Sequence, residues 1–150
     1  MSEKLGQRYK RLYVQLKGLL EKTKDTTAKM ATISALLQNK MPHFFWTGFY
    51  LLKKGTLTVG PYQGSLACLE LAKKKGVCWH AIQIQASIIV PDVHKFPGHI
   101  ACDSRSKSEI VIPLKKSNGS VYGVLDVDSR KFNAFSDTDR EWLEKIASLI

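Results

Sequence analysis

The stretch EIVIPLKKSNGSVYGVLDVDS, Glu109 to Ser129, decides how this chain folds. Glu109 to Lys115 and Ser120 to Val127 are apolar, β-branched runs, and Ser117, Asn118 and Gly119 between them are tight-turn residues. Two strands so joined form an antiparallel hairpin. Successive side chains of a strand point to opposite faces, so Asp126 and Asp128 share one face while Leu125 and Val127 share the other. Two carboxylates on one face near the end of an apolar strand are costly unless they bind something. The plainer alternative is that Asp128 and Ser129 open a turn and Asp126 pairs with a lysine, which accounts for Asp128 better than for Asp126.

Working outward, Phe44 to Lys53, Leu57 to Tyr62 and Ser87 to Val90 read as further short strands separated by turn residues. Leu66 to Lys74 has a helical rhythm. Pro91 to Lys107 has no periodicity and reads as a long loop, of a length that compact domains mostly reserve for function. Before the strands, Leu5, Tyr9, Leu12, Leu16, Leu19 and Leu20 recur at three- and four-residue steps, the mark of an amphipathic helix over the first twenty residues. A second helix is expected from Thr26 to Asn39, with Met30, Ile33, Leu36 and Leu37 on one face, Asp25 or Thr26 as cap and Pro42 as stop. At the far end Ser136 and Asp139 form a capping-box pattern ahead of a stripe of Trp142, Leu143, Ile146 and Leu149. The fold class that follows is α+β, with a central antiparallel sheet of about six strands flanked by N-terminal and C-terminal helices. It forms a single domain over 1–150: helices in 1–40, sheet and loops in 44–129, and a closing helix in 136–150.

A chain of 150 residues that is 44% hydrophobic buries a core without metal or disulfide staples. Its amino terminus, MSEKLGQRYKRLYVQL, lacks the apolar stretch of a signal peptide, and HFFWTGFYLL is too short to span a membrane, so a soluble, cytoplasmic protein is expected. The net charge of +10 raises the question of nucleic acid, but the excess is scattered. Lys73, Lys74 and Lys75 make the tightest cluster, followed by Lys53 with Lys54 and Lys115 with Lys116, and such groups read as solvated edges rather than a binding patch. No nucleic-acid or membrane partner is expected. Three cysteines cannot close a set of structural disulfides, so their interest is chemical.

The loop PDVHKFPGHIACDSRSKSEIVIPL gathers Asp92, His94, His99, Cys102, Asp103 and Glu109. Cys102 lies among small and polar residues just before a strand, although a small buried hydrophobe is the commoner fate of a free cysteine. His94, His99 and Cys102 lack the paired spacing of a structural zinc site, and no metal is expected.

Five blocks, WTGFYLL (46–52), GPYQGSLAC (60–68), KGVC (75–78), DVHKFPGHIACDSRSKSEIV (92–111) and GVLDVDS (123–129), stand in order along the chain. Together they resemble the signatures of the free methionine-R-sulfoxide reductase family, which is built on a GAF domain, and a coincidence of several such blocks is far rarer than one short motif. The resemblance implies that Cys102 attacks the sulfoxide sulfur and that Cys68 or Cys78 resolves the resulting sulfenic acid as a disulfide. Glu109, Asp126 and Asp128 are implied as the carboxyl cluster that keeps one proton available for the departing oxygen. A free amino acid also brings an ammonium, for which Asp92 and one site acid are candidates. Its carboxylate is expected on backbone near Ile100, Ala101 and Cys102. Trp46 and Tyr50 suit the small methyl-sulfinyl end as an aromatic wall, though either residue type is more often core.

No bound cofactor is implied. The reducing power comes from thioredoxin and NADPH, and a homodimer through the amino-terminal helices is the family expectation. After Cys78 the chain departs from the family pattern: bulky Trp79 and His80 replace a glycine and a small residue, and Trp79 is expected to crowd the entrance or slow disulfide exchange at Cys78. The rival reading is a GAF domain that binds a small ligand and signals without a nucleophile.

Overall fold

The computed structural model describes residues 2–99 and 102–150. Helix α1 (Ser2–Leu20) and helix α2 (Thr26–Lys40) form where the leucine and isoleucine spacing predicted. The Asp25 carboxylate accepts from Ala28 N at 2.8 Å and closes the first turn of α2. Strands β1 (Trp46–Lys53) and β2 (Thr56–Gln63) follow, joined by Lys54 and Gly55. Both linking residues take positive φ (52° and 78°), the two-residue turn whose twist matches that of the strands. Then come β3 (Glu70–Leu71), helix α3 (Gly76–Ile84), β4 (Ile88–Val90), a single 3₁₀ turn (Val93–Lys95), β5 (Ser108–Lys115), β6 (Val121–Ser129) and α4 (Asp137–Ala147).

The six strands lie in the order β3-β2-β1-β6-β5-β4, every neighbour antiparallel. Gly119 has φ of 88° in the β5–β6 turn, and Asn118 Oδ1 accepts from Ser120 N and Oγ, so the hairpin forms as its sequence predicted. One sheet face carries Phe49, Ile110, Ile112, Leu125 and Val127, buried under Leu12, Leu16, Ile33, Leu37, Leu143 and Ile146 of α1, α2 and α4. The other carries Trp46, Tyr50, Val111 and Val124 and is covered by α3, where Val77, Cys78, Trp79 and Ala81 are buried.

The helical rhythm of Leu66 to Lys74 does not become a helix. Leu66 and Leu69 are 85% and 73% exposed, so their spacing serves no buried face, whereas Leu71 pairs with Leu57 as part of β3. Positive φ at Lys74 (60°) and Gly76 (87°) turns the chain, and the helix starts only there. Among the described residues no helix is long and apolar enough to cross a membrane.

Candidate active site

Strand register builds the floor of the site. Trp46 stands opposite Asp128, which stands opposite Glu109; in the next row Gly48 faces Asp126, which faces Val111. Residues directly paired across an antiparallel sheet share a face. Trp46, Tyr50, Glu109, Asp126 and Asp128 therefore come together, and all line one cavity with Cys78 and Cys102. Gly48 is required by close approach: a Cβ there would run into the Trp46 ring and Tyr62. Its absence lets those rings stack at 5.3 Å between centroids, and Tyr50 also stacks with Trp46 at 5.8 Å.

The same aromatics hold the loop that runs from Gly64 to Leu69. Trp46 Nε1 donates to the Ser65 carbonyl at 3.0 Å and Tyr50 Oη donates to the Cys68 carbonyl at 3.3 Å. Both rings are thus wall and tether at once, and they fix the backbone of Cys68. A disulfide joins Cys68 to Cys102 across 34 residues of sequence, with Cα atoms 5.4 Å apart. Cys78 is the free thiol, buried on the first turn of α3.

Glu109 and Asp126 are each 5% exposed, and neither forms an ion pair among the described residues. Burial pushes the Glu109 carboxyl well above its ordinary range, and the charges of Asp126 and Asp128 push it further. Asp126 is pushed up to about 6 by burial, with hydrogen bonds to Glu109 and Cys78 pulling it partway back. Asp128 is raised by burial and by the charges of Asp126 and Asp103. Burial and the facing carboxylates raise the Cys78 thiol as well. Buried carboxyls that face one another raise each other's pKa, which is the condition for holding a proton donor at neutral pH. Asp126 Oδ1 and the Ser65 hydroxyl are buried in the cavity wall with no hydrogen-bond partner among the described residues. Cys78, Glu109 and Asp126 each place a donor atom within 4.8 Å of the others, a set able to take a soft divalent cation only after the thiol loses its proton.

At the mouth, Lys75 caps α3 without a side-chain hydrogen bond, and among the described residues the first N–H groups of the helix have no acceptor beside the cavity that Lys75, Gly76 and Val77 line. His99 also lines it, and burial, with the nearby His94, holds its imidazole below the usual range. Asp103 is held low by two-pronged contact with Arg105, whose guanidinium lies 5.0 Å from the centre of the Phe45 ring.

Residues 30–150 match the family model of the GAF domain. A free methionine-R-sulfoxide reductase of Escherichia coli is 44% identical over 121 residues, covering 81% of this chain and 73% of that protein. The chain belongs to the free methionine-R-sulfoxide reductase family of GAF domains. GAF domain-containing protein A of Dictyostelium discoideum is 46% identical over 145 residues, or 96% of this chain and 90% of that protein. The X-ray structure of the Neisseria meningitidis reductase in complex with its substrate superposes with a TM-score of 0.89 at 37% identity, covering 94% of this chain and 84% of the other.

The family's expected residues fall mostly where this cavity is. Cys102, Cys78, Glu109, Asp126, Asp128, Trp46 and Tyr50 all line it, and Cys68 is bonded to one of them. Asp92 does not join them. Its carboxylate accepts from His94 N and contacts His94 Nδ1, both at 3.0 Å, and caps the 3₁₀ turn, so the local chain engages it before any ligand does. Ile100 and Ala101 lie outside the described residues. Trp79, expected at the entrance, is instead 7% exposed within the core under α3 and does not line the cavity. Ser65 and Lys75 were not anticipated as lining residues. A small hydroxyl and a lysine in a cluster carry no signal until the loops close around them.

Proposed function

We propose that this protein reduces free L-methionine-(R)-sulfoxide to L-methionine. The observation that carries the reading is a cysteine pair, Cys68–Cys102, at a cavity floored by three neighbouring carboxyls. The Cys102 sulfur attacks the sulfoxide sulfur, the oxygen passes to Cys102 as a sulfenic acid, and methionine leaves. A proton from the Glu109–Asp126–Asp128 cluster meets the oxygen as its bond to the substrate breaks. The Cys68 thiol then condenses with the sulfenic acid, giving the disulfide and water. Thioredoxin returns two electrons, drawn from NADPH, and restores both thiols.

Cys68 is the resolving residue in this scheme. Its bond to Cys102 supports that role, and the depth of Cys78 among carboxylates argues against a thiolate there. The substrate ammonium meets a carboxylate of the cluster, the substrate carboxylate meets the free N–H groups of α3 beside Lys75, and the methyl group rests on Trp46. The protein works in the reducing cytoplasm as a homodimer formed through α1, whose Val14 and Leu19 are 64% and 40% exposed; light scattering at twice the chain mass checks the dimer.

The deciding experiment follows NADPH consumption in the presence of thioredoxin and its reductase, with the R and S epimers of free methionine sulfoxide. Wild type consumes NADPH with the R epimer only, and Cys102→Ser consumes none. Binding of the amino acid without turnover in wild type replaces this reading with a ligand sensor.

A further inference from the structure

Of the six large apolar side chains most exposed among the described residues, Leu66 and Leu69 are the most exposed of all, and they stand on either side of Cys68 in the chain. Lys73, Lys74 and Lys75 follow one short strand later, all exposed and none in an ion pair among the described residues. Leu66 and Lys75 border the same cavity as Cys102, so the exposed segment that carries Leu69, Lys73 and Lys74 begins and ends beside the disulfide. Glu70 is the exposed anion within it. Leaving two leucines in water beside a redox bond costs burial that the fold could have collected, and a surface of this make-up is complementary to an apolar patch rimmed by acids.

We propose that this surface docks an acidic dithiol carrier protein, which recharges the enzyme from the Cys68 side. The inference rests on the reductase reading and adds the recognition surface. In the docked complex the carrier's thiolate forms a mixed disulfide with Cys68 as the Cys68–Cys102 bond breaks, and Cys102 leaves with a proton taken from solvent or the acid cluster. The carrier's second thiol then attacks the mixed disulfide. The carrier ends as an intramolecular disulfide and Cys68 as a thiol, two electrons and two protons having been transferred. The lysines speed encounter through attraction that falls with salt, and the leucines hold the complex long enough for exchange.

The test measures the second-order rate of reduction of the oxidised protein by an acidic thioredoxin and, separately, by dithiothreitol. Leu69→Ser and the double variant Lys73→Glu/Lys74→Glu are compared with Lys22→Glu/Lys24→Glu, which changes net charge equally in the α1–α2 connection. Expected is a fall of about tenfold with thioredoxin for the first two proteins, none for the third, and no change with dithiothreitol for any. The wild-type thioredoxin rate also declines as salt is raised while the dithiothreitol rate holds. An equal fall with both reductants, or none with either, overturns the docking surface. Turnover of methionine-R-sulfoxide by wild type with dithiothreitol alone separates the two ideas: if it persists, only docking has failed, and if it is absent, the reductase reading fails as well.

Discussion

The two faces of the sheet each bury acid, and they do so in opposite ways. On the face under α1, α2 and α4, Asp139 is fully buried at the start of α4, yet every side of its carboxylate is occupied: Tyr9 Oη donates to it, His43 Nε2 lies at 2.9 Å, and Ser136 N and Oγ donate at 2.8 and 3.2 Å. Burial raises that carboxyl, but the hydrogen bonds from His43, Tyr9 and Ser136 outweigh it and hold the group below its ordinary range. On the cavity face Glu109, Asp126 and Asp128 are surrounded by one another, and all three are raised. A satisfied carboxylate ties three segments together. A frustrated cluster costs stability and, in the proposed reaction, keeps a proton ready for the departing oxygen.

The largest effect expected from this contrast is at Glu109. Glu109→Gln lowers the single-turnover rate of sulfoxide reduction by about 10²–10⁴ without lowering the melting temperature, because it removes a proton donor and relieves a like-charge cluster. A lowered melting temperature with normal turnover would make the cavity acids structural and erase the distinction between the faces. Asp139→Ala should do the reverse, costing about 3 kcal/mol in urea unfolding by stranding Tyr9 and His43, while the folded fraction keeps its turnover.

A third prediction sharpens the comparison by pH. Asp126 has its folded pKa raised from 3.8 to about 6, so the folded state holds its proton more tightly than the unfolded chain does. Its contribution to stability is therefore present below pH 4 and lost as pH rises through 6. Asp126→Asn should be more stable than wild type by about 2 kcal/mol at pH 8, with the gain vanishing by pH 4. A gain of equal size at both pH values would mean that ionisation is not its source. The smallest effect is expected at Cys78: Cys78→Ala costs about 1 kcal/mol of packing and slows turnover by no more than a few-fold. Peptide mapping after one equivalent of substrate should still find Cys68 joined to Cys102, and loss of that disulfide would make Cys78 the resolving residue.

Much of this contrast was legible in the sequence because strand alternation is local. Asp126 and Asp128 on one face and Leu125 and Val127 on the other follow from period two, whereas Glu109 came from the family resemblance, because a register shift between Leu114 and Lys115 decides which residue of β5 lies across from Asp128. Helix ends were legible for the same reason, since Ser136 and Asp139 carry their own capping pattern. The failures lie where solvent decides. The Leu66–Leu69 spacing imitates a helix face but faces water, and α3 went unassigned among its apolar residues until Gly76 turned the chain. Asp92 belongs to the right loop, but which way a loop carboxylate points depends on its nearest donor, here His94. The partner of Cys102 was left open between Cys68 and Cys78, because a choice across 34 residues is made by tertiary packing and leaves no mark in spacing.

Trp46 and Tyr50 hold the loop bearing Cys68 by its backbone carbonyls, contacts that do not depend on the sulfur bond. When the disulfide opens, the freed thiol stays at a high effective molarity next to Cys102 instead of diffusing with a loose loop. In the proposed cycle Cys102 becomes a sulfenic acid, which a second oxidant would carry irreversibly to sulfinic acid if it waited. Two hydrogen bonds from aromatic side chains thus set a race in favour of ring closure, and the enzyme's working lifetime under peroxide follows from how tightly that loop is held.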